Sequence, residues 1–136
     1  MATARQEVVI NALPIKVWSL LDDVTKWPGW NQHITQGRML EGDTFYPGST
    51  FQYVYNGKPM VGTITLIDRP KALAWRAGNM RQTIRLEPVG NQTKVVAEYE
   101  VTGFMTSLRK GKAEAEASQA CTDWLKSLKE GVEKAG

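Results

Sequence analysis

A two-residue alternation of apolar and polar side chains runs from Gln32 to Gly103, and after Gly103 it gives way to a single helical stripe. Alternation of this kind marks strands with one buried and one wet face, and turn signals recur at about the eight-to-twelve-residue spacing of an antiparallel meander. Phe51, Tyr53 and Tyr55 share one face, and Asn56-Gly57 follows directly. That pair favours a two-residue hairpin because both positions accept positive φ. Met60 to Ile67 returns, Asp68-Arg69-Pro70 turns, and Leu73, Trp75 and Ala77 alternate with Ala74 and Arg76. After Gly78-Asn79, Met80, Gln82, Ile84 and Leu86 face one way while Arg81, Thr83, Arg85 and Glu87 face the other. After Gly90-Asn91, Val95, Ala97, Tyr99 and Val101 take the inner side.

At about 100° per residue, Ala113, Ala117, Cys121, Trp124, Leu128 and Val132 then fall on one stripe, opposite Lys112, Glu116, Gln119, Asp123, Lys126 and Glu130. Upstream, Val8, Ile10 and Ala12 suit a first strand. Pro14 opens a short helix with apolar contacts from Ile15, Val17, Trp18, Leu20 and Leu21, and a second turn runs from Asp22-Asp23 to Trp27-Pro28-Gly29-Trp30-Asn31. The inventory is α+β: six or seven antiparallel strands, two short helices after the first strand, and one long C-terminal helix. One helix cannot cover a flat sheet of that width, so the sheet must curl around it. The stripe is small in its first half (Ala113, Ala117, Ser118, Cys121) and large in its second (Trp124, Leu125, Leu128, Val132). Small residues opposite large aromatic strands imply an interior cavity, plugged at the Trp124 end.

Composition bounds the rest. A chain of 136 residues suits one domain, 1–136, with a real core. One cysteine and one histidine exclude a disulfide framework and a zinc site made of those ligands alone. Seventeen basic against fourteen acidic side chains, without a basic block, make nucleic acid a poor partner. The apolar run Val8-Val9-Ile10 is too short for a signal peptide or a membrane span, so cytoplasmic residence is expected. No cofactor or metal motif emerges, and oligomeric state is not readable.

Ile10-x-Ala12-x-Pro14-x-x-Val17-Trp18, Leu20-Leu21-Asp22 and Trp27-Pro28-x-Trp30-Asn31 resemble the opening of the SRPBCC (START-like) superfamily, polyketide cyclase/dehydrase type. Gly48-x-x-Phe51, Pro70-x-x-Leu73-x-Trp75, Leu86-Glu87-Pro88 and Trp124-Leu125-x-x-Leu128-Lys129 extend the resemblance over nearly the whole chain. It implies a helix-grip fold with a deep hydrophobic ligand cavity; the function it implies is loose, because the fold hosts carriers, receptors and cyclases alike. Many relatives carry a histidine where this chain has Gln82. An amide can orient a ligand but cannot shuttle protons near neutral pH, which argues against a histidine-based cyclase step there.

The expected function is binding of a small hydrophobic or amphipathic molecule (a lipid, polyketide or aromatic metabolite) in the cavity. Tyr53, Tyr55, Trp75, Gln82 and Tyr99 would line it from the sheet, and Ala117 and Cys121 from the helix. Plain core packing is the competing reading of the same aromatics. The alternatives are a cyclase or dehydratase using the same cavity and a protein-interaction module; whether any reaction occurs is not readable. For chemistry the candidates are His33, the one side chain whose unperturbed pKa lies near neutral, and Glu114, close to the helix stripe. Each also has a plain reading, as a strand-edge histidine and a solvated carboxylate. Asp22-Asp23 read as helix caps.

Overall fold

The alternating segment forms six strands, and the N-terminal residues add a seventh. The structure is a computed structural model describing residues 2–103 and 110–135. In chain order it comprises β1 (Ala2–Ile10), α1 (Pro14–Leu21), a 3-10 turn (Val24–Lys26), α2 (Trp27–Trp30), β2 (Ile34–Met39), β3 (Thr50–Tyr55), β4 (Lys58–Asp68), β5 (Ala72–Ala77), β6 (Met80–Val89), β7 (Gln92–Val101) and α3 (Lys110–Ala135). The sheet order is β1-β7-β6-β5-β4-β3-β2, every neighbour antiparallel. Hairpins join β3 to β4 through Asn56-Gly57 and β5 to β6 through Gly78-Asn79, where Asn56, Gly57 and Gly78 take positive φ.

Two irregularities bend the sheet. The register shifts between Ile34 and Gln36 in β2 and between Ile64 and Leu66 in β4, each placing an extra residue in its strand. Such bulges increase local twist and let a sheet curl toward a partner. That partner is α3, which lies across β1 and β7 with Ala117, Cys121, Trp124, Leu125, Leu128 and Val132 buried.

Two expectations need correction. The first strand is not centred on Val8 to Ala12: it begins at Ala2 and ends at Ile10, paired from Ala2↔Val101 to Ile10↔Thr93. Its outward residues Thr3, Arg5 and Glu7 are polar, so the segment lacks the apolar run that would have announced it. Ile15 supplies no core contact, being 64% exposed, whereas Val17, Trp18 and Leu21 are buried.

The interior is also fuller than the graded helix stripe implied. Trp27 from the α2 corner reaches its centre, with ring centroids 5.5 Å from Phe51, 5.5 Å from Tyr53, 5.2 Å from Trp75 and 5.1 Å from Trp124. Trp30 stacks edge-on against Trp124 at 5.6 Å, so the plug expected at the Trp124 end is a cluster of tryptophans. The small half of the helix stripe is used for close approach instead: Gln6 Nε2 of β1 donates to Ser118 Oγ at 2.9 Å. Small side chains let a helix settle onto a strand, removing the space their size suggests.

Candidate functional site

The strand register places the inner-face candidates side by side. Ile64, Trp75, Gln82, Tyr99 and Ala4 are successive cross-strand partners on β4, β5, β6, β7 and β1. Gln82 is thus set between an indole and a phenol and is 1% exposed. Its Nε2 has no hydrogen-bond partner among the described residues. Trp75 Nε1 donates to Tyr53 Oη at 3.1 Å, anchoring the phenol beside it.

Tyr53, Tyr55, Met60, Met80, Gln82, Tyr99 and Trp124 enclose a small void of about 20 Å³. That volume holds about one water. Outside it lies an open cleft of about 420 Å³, lined by Lys58, Pro59, Met60, Val61, Ala77, Gly78, Asn79, Met80, Tyr99, Val101 and Glu116. Void and cleft share Met60, Met80 and Tyr99, so these three side chains form the partition between them.

Of the expected ligand contacts, Tyr53, Tyr55, Gln82 and Tyr99 meet at the void. Trp75 stands behind it, holding Tyr53. Ala117 and Cys121 are buried but belong to neither lining. Trp124, expected as the plug, also lines the void, and Met60 and Met80 are wall residues that the sequence reading did not name as ligand contacts. A signal existed for the methionines, since Met80 sits one alternation step from Gln82 and the hairpin sets Met60 opposite Tyr53.

The candidates for chemistry lie elsewhere. His33 is on the corner before β2, its Nδ1 3.0 Å from Asn56 Oδ1 and its Nε2 3.9 Å from Asp123 Oδ2 on α3. Gln119 Nε2 donates to the other carboxylate oxygen at 2.9 Å. His33 therefore ties the strand corner to the helix, with Tyr55 at 5.9 Å between centroids, and does not line the void. Glu114 is half-buried on α3 and lines neither space. Asp23 caps the 3-10 turn by accepting from Thr25 N at 2.9 Å, and Asp22 accepts from Arg69 Nε at 2.9 Å. Among the described residues no three His, Cys, Asp or Glu side chains gather as a metal site, and no helix is long and apolar enough to cross a membrane.

The void disfavours charge. Burial raises the Tyr55 phenol to about 12, helped by the Asp123 carboxylate, and raises the Cys121 thiol to about 11. Burial likewise raises Tyr53 and Tyr99, although the Trp75 hydrogen bond pulls Tyr53 partly back. Unfolded, a cysteine releases its proton near 9 and a tyrosine near 10. Above those values the unfolded chain holds fewer protons than the folded one, so stability falls as pH rises. The expected result is stability indifferent to these groups below pH 9 and declining from there through pH 12. Tyrosinate absorbance at 295 nm should then rise together with loss of the circular dichroism signal. Complete tyrosine ionisation near pH 10 in a chain still folded would contradict this.

A seven-stranded antiparallel sheet curled over a long C-terminal helix, with two short helices between β1 and β2, is the START-like helix-grip architecture. The chain belongs to the family described as polyketide cyclase / dehydrase and lipid transport, whose family model matches residues 1–133. Solved structures share the fold at low identity. A START superfamily protein from Mycobacterium smegmatis is 15% identical with a TM-score of 0.81, over 100% of both chains. A hypothetical protein from Helicobacter pylori is 17% identical with a TM-score of 0.77, over 93% of this chain and 85% of that one. The Aha1 dimer from Colwellia psychrerythraea is 23% identical with a TM-score of 0.73, over 98% and 97%. Among curated proteins none matches in sequence.

Proposed function

We propose that this protein binds a small hydrophobic or amphipathic molecule in the cleft beside α3, with one end of the ligand passing the methionine partition into the void. The observation that carries this reading is the shared wall: an open cleft and an enclosed void are separated by Met60, Met80 and Tyr99. Methionine is unbranched and turns about three side-chain bonds, so the partition can swing aside without moving the sheet. The cleft's volume lies within the range of small-molecule sites, and Pro59, Met60, Ala77, Met80 and Val101 give it apolar lining beside its polar groups.

Binding is favoured over turnover by the chemistry of the wall. Its polar groups are an amide, an indole and three phenols held neutral by burial, which donate hydrogen bonds but do not exchange protons near neutral pH. The His33–Asp123 pair, a candidate for cyclase or dehydratase chemistry, stands outside the void. The test is titration with the neutral fluorophore N-phenyl-1-naphthylamine, read by energy transfer from tryptophan. Saturable binding is expected, weakened at least tenfold in Met80→Trp, which fills the passage. Non-saturable partitioning, or full binding in that variant, would refute the site.

A further inference from the structure

We infer that the ligand presents a neutral oxygen acceptor, a ketone, ester or amide carbonyl, to the amide of Gln82, and that a carboxylate is excluded; this rests on the binding reading above. Three buried side-chain nitrogens lack a partner among the described residues: Trp18 Nε1, Asn31 Nδ2 and Gln82 Nε2. Only Gln82 belongs to the lining of the void. A buried amide N–H without a partner costs about 1–3 kcal/mol, and the register between Trp75 and Tyr99 keeps Gln82 from turning out to water. Its requirement is therefore met from inside the void. Tyr53 Oη already accepts the Trp75 indole proton, which turns its own O–H away from that ring as a second donor. The Gln82 Nε2 and the Tyr53 O–H thus offer two donors to an acceptor placed in this space.

The charge of that acceptor follows from the wall. Tyr53, Tyr55, Met60, Met80, Gln82, Tyr99 and Trp124 include no cation to offset an anion drawn out of water. Burial there already holds phenols in their neutral form, and it would act on a carboxylic acid in the same direction. Lys58 lines only the outer cleft, as does Glu116, and is absent from the void.

A matched series separates the possibilities: 2-acetylnaphthalene, 2-isopropenylnaphthalene and 2-naphthoate share one ring system and nearly one shape. Each is titrated against bound N-phenyl-1-naphthylamine at pH 5 and pH 8. The ketone should displace the probe about tenfold more tightly than the hydrocarbon, the worth of one hydrogen bond to a neutral donor, and equally at both pH values. The acid should weaken about tenfold per pH unit above its own pKa, since only its neutral form enters. Gln82→Leu should bring the ketone-to-hydrocarbon affinity ratio down to about one. Tyr53→Phe, which keeps the ring, should reduce that ratio in part. Hydrocarbon and ketone binding equally to the unaltered protein, or naphthoate binding best at pH 8, would overturn the inference while leaving the binding reading intact. Failure of probe and series alike to saturate would overturn both.

Discussion

Replacing Trp27 by alanine should destabilise the protein by about 4 kcal/mol, the usual cost of deleting a buried tryptophan, measured by urea unfolding. The ring is 0% exposed and is in contact with five other aromatic rings, from Phe45 at 6.1 Å to Trp124 at 5.1 Å. Its Nε1 also donates to the Leu21 carbonyl at 3.1 Å, fastening α2 to the end of α1. Alanine removes the hydrogen bond and the ring contacts together. Because the ring bridges strands β3 and β5 to helix α3, the cavity cannot close by moving one element alone. Total stability of such domains is about 5–15 kcal/mol, so the variant sits near the edge of folding. Trp27→Phe keeps a ring and should lose about half as much. A loss below 1 kcal/mol for alanine would mean that the rings are not mutually supporting.

Gly37→Ala should cost about 3 kcal/mol or more, although it adds a single methyl group. A Cβ at Gly37 would lie 2.2 Å from the Val24 carbonyl oxygen and 3.1 Å from its carbon. The obstacle is backbone, so no rotamer change relieves it. Either β2 or the 3-10 turn must shift, and with it the corner that delivers Trp27 to the core. Gly29→Ala is the internal control: it lies on α2 with nothing within 4 Å of the added carbon, and a helical glycine-to-alanine change should be neutral or slightly stabilising. Comparable losses for the two variants in thermal unfolding would rule out this account. Gly131 reports the same logic on α3, where a Cβ would come 2.6 Å from Trp30 Cβ. A helix interior tolerates glycine there because it admits the tryptophan.

Some of the site was legible in the sequence. Alternation put Tyr53, Trp75, Gln82 and Tyr99 on one face, and the hairpin signals set the order of their strands. A strand's period of two is a local backbone property, so facing can be read one segment at a time. Ala117 and Cys121 show where that reasoning stopped. Their size suggested empty space, but whether small residues leave a gap or let a helix descend depends on every neighbour. Here Ser118 meets Gln6 across the interface, and the helix has descended. His33 could be named as a titratable group, yet its meeting with Asp123, ninety positions along the chain, depends on where α3 passes the corner between α2 and β2.

By itself, then, the sequence determined the α+β class, the meander order of β3 to β7, the burial of the terminal helix's stripe and the inward facing of Gln82. Only the tertiary structure decided that the interior is mostly ring packing, that the remaining void holds about one water, and that the Gln82 donor, behind two methionines, finds no partner among the described residues. Periodicity survives in any window of a few residues. The space left in a core is a small difference between large volumes, which exists only once every side chain is in place.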